Sequence, residues 1–180
     1  IPAGQNFVES LSRGLDAIES SHFLLVTADV PDLTPQAVQD FVDKCDRSAL
    51  INYPLIPLDL ANERYPGFKR TSYALSMGRV TGGNIAFVAT DLIRKSLPRL
   101  QQAYDLRKNV LKLALMIGPG IMMRFLAGLA FPALLTLPKL EQAIGRRLGG
   151  PVKAVVTIYP ELGHDIDTEE QYEELVRRTT

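Results

Sequence analysis

One cysteine, Cys45, occurs in 180 residues, which excludes an internal disulfide and any multi-cysteine zinc site. A reducing, cytoplasmic compartment is the expectation that follows. Net charge is missing too, since twenty Lys and Arg offset twenty Asp and Glu. Non-specific nucleic-acid binding needs a clustered excess of basic charge, so no nucleic-acid partner is expected and any anion must be caught locally. Long apolar runs are also absent. Eleven uncharged residues separate Lys112 from Arg124, and fourteen separate Arg124 from Lys139. A spanning helix needs about twenty, and Pro119 and Pro132 would interrupt one, so no transmembrane segment is expected. His22 and His164 have no partner at metal-ligand spacing. Gly-x-Ser-x-Gly, Walker and Gly-x-Gly-x-x-Gly motifs are all missing, as are internal repeats and low-complexity tracts.

What is present fits one globular domain, with 46% hydrophobic and 22% charged residues. Asn6 and Glu9 form a capping box, and Phe7, Leu11, Leu15 and Ile18 recur at helical spacing, which predicts a helix over 6–20. The apolar run Phe23 to Ala28 reads as a buried strand. Thr34 and Pro35 supply the cap and first position of a second helix, whose buried stripe is Val38, Phe41, Val42 and Cys45. Ala49 to Ile56 reads as the next strand. Strand, helix and strand in succession predict a parallel sheet. Pro57 to Arg70 reads as a loop, Tyr73 to Val80 and Ile85 to Val88 as strands, and 90–148 as helical with breaks at Gly118-Pro119-Gly120, Pro132 and Pro138. Val152 to Tyr159 is the last strand, and Thr168 opens a final helix.

Ligands of open α/β sheets bind beyond the carboxyl ends of strands. Asp29 is the first charged residue after an apolar strand, and Asp32 is the better placed of the two to cap the following helix. Asp165 and Asp167 stand beyond the last strand in HDIDT, where alternation sets both carboxylates on one side of an extended backbone. Gathered acids repel unless a cation sits between them. Mg²⁺ suits one or two carboxylates with substrate phosphates, whereas Ca²⁺ wants more protein oxygens. Asp167 or Thr168 also has the form of a cap for the final helix. Gly82-Gly83-Asn84 allows positive φ or close approach of a ligand, and equally a hairpin turn. Lys69 and Arg70 can meet a phosphate or acidic group, or simply face solvent. His164 adjoins the acids, His22 suits a core or surface role, and Cys45 reads as a small core residue.

The ordered segments TADVPDLTP, TGGN and DIDTEEQYEEL resemble the nucleotide-sugar-transferase-like nucleotidyltransferases, the superfamily of molybdenum-cofactor guanylyltransferase. The resemblance implies a Rossmann-like three-layer sandwich with a mostly parallel central sheet. It implies a magnesium-dependent enzyme that transfers a nucleoside monophosphate from a nucleoside triphosphate to a phosphorylated or acidic small-molecule acceptor. Asp29 would bind the catalytic Mg²⁺, Asp167 would supply a second carboxylate and Asp165 is a further candidate ligand. Gly82, Gly83 and Asn84 would line the acceptor side, with Arg70 as a substrate-binding candidate. Glu169 stands where the family has proline. The family's opening strand and glycine-rich loop are not among these residues, so 1–180 reads as the C-terminal portion of a longer single domain. A non-catalytic module of the same fold, using apolar helices near Leu111 to Leu137 for a partner, a membrane surface or a second copy, is the alternative.

Overall fold

The computed structural model describes residues 1–68, 70–106 and 136–179. Lys69 and nearly all of the apolar stretch from Leu111 to Leu137 lie outside them. Helix α1 (Phe7–Asp16) starts at Asn6, whose side chain accepts from the Glu9 N–H at 2.9 Å, while the Glu9 carboxylate reaches back to the Gln5 N–H at 2.7 Å. Strand β1 (His22–Val26) follows, then α2 (Pro35–Lys44), capped by Thr34 as its sequence predicts. Next come β2 (Ile51–Pro57) and α3 (Leu58–Arg64). Helix α3 corrects the expectation of a loop from Pro57 to Arg70: Ala61 is fully buried in the main core, against which a helical turn closes. Strands β3 (Ser72–Leu75), β4 (Gly78–Gly82) and β5 (Ile85–Ala89) lead into α4 (Thr90–Leu106). The chain continues with α5 (Leu137–Leu148), β6 (Val152–Val156), a 3-10 turn (Pro160–Gly163) and α6 (Glu169–Thr179).

The sheet overturns the mostly parallel arrangement expected for a Rossmann-like sandwich. Four of its strand pairings are antiparallel, β1–β5, β2–β5, β2–β4 and β3–β4, and one is parallel, β2–β6. The cause lies in β4 and β5. A helical connection from β1 to β2 suggested neighbouring strands, yet β5 lies between them and runs against both. Its Ile85, Phe87, Val88 and Ala89 are buried, as a strand with a neighbour on each side requires. Strands β1, β2 and β6 nonetheless run the same way, and their carboxyl ends lead to one edge of the sheet.

Gly82-Gly83-Asn84 is not a hairpin turn. The hairpin is β3–β4, closed by Ser76 and Met77 before Gly78, whose φ is +120°. Between the pairs Asn52–Phe87 and Leu55–Gly82 the β4–β5 side uses two more residues than β2, so Gly83 and Asn84 form a bulge in one long ribbon.

Two apolar clusters hold the layers together. Phe41 of α2 packs with Ile56, Ala61, Phe87, Val155 and Leu162, and Leu55, Leu75 and Val80 pack with Leu137 and Leu140 of α5. Leu55 and Ile56 are consecutive on β2, so they face opposite sides and helices cover both faces. Arg94 of α4 ties the end of α1 in place, donating to the carbonyls of Leu15 and Ile18 at 3.0 and 2.9 Å. Among the described residues no helix is long and apolar enough to cross a membrane.

Cys45 packs against the main cluster, and burial pushes its thiol up to about 11 from 9.0. At a pH of about 8 this lowers the thiolate fraction roughly a hundredfold. The greater nucleophilicity of a more basic thiolate returns roughly tenfold. Alkylation of the native protein by iodoacetamide is therefore expected to run about tenfold slower than after unfolding, with the native rate still climbing above pH 9. Equal native and unfolded rates would contradict the placement of Cys45.

Candidate functional site

Val26, Pro57 and Val156 close three co-directional strands, and Asp29, Asp165 and Asp167 lie beyond that edge. Asp29 is exposed in the turn after β1. Its carbonyl accepts the N–H of Ile166 at 3.0 Å. Ile166 stands between Asp165 and Asp167, so this bond brings Asp29 alongside the two late aspartates from a distant part of the chain. Asp165 is half-buried and Asp167 exposed. Thr168 caps α6: its hydroxyl accepts from the Gln171 N–H at 3.3 Å, and Gln171 Oε1 accepts from the N–H groups of Asp167 and Thr168 at 2.7 and 3.1 Å. Capping therefore does not occupy the Asp167 carboxylate. Within the described residues no hydrogen bond or ion pair engages the carboxylates of Asp29, Asp165 or Asp167, and no group of three or more His, Cys, Asp or Glu side chains stands close enough to hold a metal ion. A cation here would rest on one or two of them.

The two glycines are where the chain's own backbone packs. Neither Gly82 nor Gly83 has positive φ. Gly83 is buried, its N–H donates to the Pro54 carbonyl at 3.2 Å, and the Asn84 N–H donates to the Leu162 carbonyl at 2.7 Å. A Cβ on Gly83 would stand 2.7 Å from Pro54 Cγ and 2.8 Å from the Leu162 carbonyl oxygen. The bulge thus seats the 3-10 turn directly on β2, and the turn delivers HDID to the edge. With both amides committed, the half-buried Asn84 side chain is what this segment can offer a ligand.

Behind the aspartates lies a polar cluster that the spacing of residues did not announce. His164 is only 2% exposed, and its Nδ1 meets Asp32 Oδ2 at 2.9 Å. Asp32, better placed than Asp29 to cap α2, turns its carboxylate to His164, and Thr34 is the cap. The His164 ring stacks on Tyr65 at 3.7 Å between centroids, and Phe68 meets it edge-on at 4.7 Å. Burial lowers the His164 pKa from 6.5, outweighing the opposite pull of Asp32 and Asp165. Burial, with the charge of Asp32 nearby, pushes the Tyr65 phenol up to about 12. Arg70 donates through Nη1 to the Gly163 carbonyl, and its guanidinium carbon lies 5.4 Å from the Tyr65 ring centre. Asp165 bears electrostatically on both Arg70 and His164, which joins this cluster to the acidic edge.

A solved structure described as a hypothetical transferase from Thermus thermophilus is 35% identical to this chain and superposes with a TM-score of 0.78, covering 95% of this chain and 71% of that one. The chain belongs to the family of that protein. No family model matches the sequence, and no curated protein matches it. The antiparallel ribbon between β1 and β2 therefore belongs to a fold that another solved chain also adopts.

The arrangement offers free carboxylates at an exposed edge, hydrogen-bond donors behind them, and no side chain poised as a nucleophile in either of the two segments. Asp32 and Tyr65 are the residues that sequence reasoning missed. Asp32 lies 132 positions from its histidine partner, and no local pattern signals such a contact. The available clue was that His164 immediately precedes the acids.

Proposed function

We propose that this protein is a magnesium-dependent nucleotidyltransferase that moves a nucleoside monophosphate from a nucleoside triphosphate to a phosphorylated or acidic acceptor, releasing pyrophosphate. The observation that carries the reading is the bond from the Ile166 N–H to the Asp29 carbonyl. It sets carboxylates of two distant segments at one edge, where no described residue forms a hydrogen bond or ion pair with Asp29 or Asp167. The relative's description as a hypothetical transferase supports group transfer in general.

The donor set fits the implied ion: hard carboxylate oxygens, few in number and exposed, suit a cation that keeps waters and shares substrate phosphates. Asp29 and Asp167 would hold it, with Asp165 behind them, and the bound ion would supply charge neutralisation for the phosphates. The protein's own work is positioning. Asp29 is fixed through its carbonyl, Asp167 through the cap of α6, and the 3-10 turn just before both late acids through the Asn84 N–H on its Leu162 carbonyl. In-line attack on an α-phosphorus by an acceptor oxygen needs such positioning more than a protein nucleophile.

Pyrophosphate release settles the matter, measured with each of the four nucleoside triphosphates against a panel of sugar phosphates and hydroxy acids, with Mg²⁺ and with chelator. Release with one nucleotide and one acceptor class, abolished by chelator, is expected. No release from any pair, together with no Mg²⁺-dependent nucleotide binding by calorimetry, would return the chain to a non-catalytic module.

A further inference from the structure

Arg70 Nε, Arg70 Nη2 and His164 Nε2 are buried side-chain polar atoms without a hydrogen-bond partner, Tyr65 Oη lies beside the Asp32 carboxylate without a well-formed bond, and all four atoms belong to three residues packed against one another. Buried polar groups are almost always satisfied, because leaving one bare forfeits its hydration with nothing in return. Three bare atoms in one cluster are therefore a feature to be explained. The Arg70 atoms are the most specific. Its Nη1 is committed to the Gly163 carbonyl. The remaining pair, Nε and Nη2, carries the two parallel N–H groups of the side-on fork. That edge matches a carboxylate or phosphate bidentately.

We infer that Arg70 and Tyr65 form a subsite for an oxyanion group carried by the acceptor, held by the Nε/Nη2 fork of Arg70 and the Tyr65 hydroxyl, with His164, whose Nδ1 is turned to Asp32, offering Nε2 as an acceptor for a hydroxyl of the same molecule. Its assignment to the acceptor rests on the nucleotidyl-transfer reading; the existence of the anion site does not. Place supports the assignment. The cluster lies behind the aspartates, within electrostatic reach of Asp165, so an anion gripped here would project the rest of its molecule toward the acidic edge. Stacking of Tyr65 on His164, together with the Asp32 hydrogen bond, fixes two of the three residues in advance. Arg70 as a whole is half-buried, so rotation of its own side chain brings the fork to a ligand.

The test is an NMR titration of the protein with inorganic phosphate and, separately, with acetate, alone and then in the presence of Mg²⁺ and nucleoside triphosphate. Saturable shifts at Arg70 and His164 are expected with one of the two anions, which identifies the oxyanion, and they should persist once nucleotide is bound. Arg70→Lys keeps the charge and loses the fork, and is expected to weaken that anion at least tenfold. Should the lysine variant not fold, Tyr65→Phe carries the same expectation of several-fold weaker binding. Three results would overturn the inference: neither anion shifts these residues, both variants bind as tightly as the parent protein, or nucleotide displaces the anion competitively. The last would make the site one for the triphosphate. Anion binding without pyrophosphate release would remove the nucleotidyl reading and leave the subsite standing; release without anion binding would do the reverse.

Discussion

Gly163→Ala is expected to lose about 3 kcal/mol of stability, which is a large share of the roughly 5–15 kcal/mol that holds a domain folded. A Cβ at this position would stand 2.6 Å from Ile56 Cδ1 and 2.8 Å from the Gly82 carbonyl oxygen. Ile56 is fully buried and the carbonyl belongs to a sheet strand, so neither neighbour can retreat cheaply. Relief must come from lifting the 3-10 turn off the bulge. That movement stretches the 2.7 Å bond from the Asn84 N–H to the Leu162 carbonyl. Overpacking costs about 1–3 kcal/mol and a lost hydrogen bond about 0.5–1.5 kcal/mol. Urea denaturation followed by circular dichroism measures the sum. Gly14→Ala is the control: a Cβ there meets nothing within 4 Å on α1, and the change should stabilise by up to about 1 kcal/mol. A Gly163→Ala protein as stable as the parent would mean that the turn does not sit on the bulge.

The same contact explains why so much of the site's position is set far from the acids themselves. Gly83 and Gly163 are small because two backbones touch there, the ribbon on one side and the turn on the other. Cβ atoms at Gly83 and Gly163 would each collide with the opposing segment. The acids at 165 and 167 follow that turn by a few residues, and the Ile166 N–H then finds Asp29. Position therefore passes from β2 through the bulge to the turn and on to the site, without a single charged residue in the chain of contacts.

Local chemistry was readable in the sequence, and long-range pairing was not. Asn6 with Glu9, Thr34 with Pro35, and Thr168 each start the helix that their side chains predict, because capping involves groups within three or four residues. The strands at 22–26, 51–57 and 152–156 were visible as apolar runs. Which strand lies beside which was not, since β5 enters between β1 and β2 from far along the chain and its apolar run is equally suited to either parallel or antiparallel pairing. Helix α3 was hidden by its flanking prolines, Pro57 and Pro66, which punctuate it without entering it. The acids at the edge were singled out because a charge beyond an apolar strand has few structural uses. The His164 cluster was not, because Asp32, Tyr65 and Arg70 meet His164 only through the tertiary fold. TGGN, which allowed either close approach of a ligand or a hairpin turn, forms a bulge that the chain's own 3-10 turn approaches.

Asp29→Asn is expected to lower the rate of pyrophosphate release by about a thousandfold, equivalent to roughly 4 kcal/mol of transition-state stabilisation. The variant is informative because it separates two roles of one residue. The Asp29 carbonyl, which accepts from the Ile166 N–H, is unchanged by it, so the segment stays in place. Only the negative charge is removed. Because the side chain is exposed and no described residue pairs with its carboxylate, stability should change by less than about 0.5 kcal/mol. Asp167→Asn should behave alike, since the Gln171 contact uses the Asp167 N–H and not its carboxylate. Asp165→Asn divides the possibilities. A loss as deep as that of Asp29 would make it a ligand in its own right, whereas a shallow loss would assign it to balancing the charge of Arg70. Asp29→Asn with parental activity and parental nucleotide affinity would take Asp29 out of the mechanism. The edge would then have to work through its donors, Arg70 and Tyr65, with the acids as bystanders.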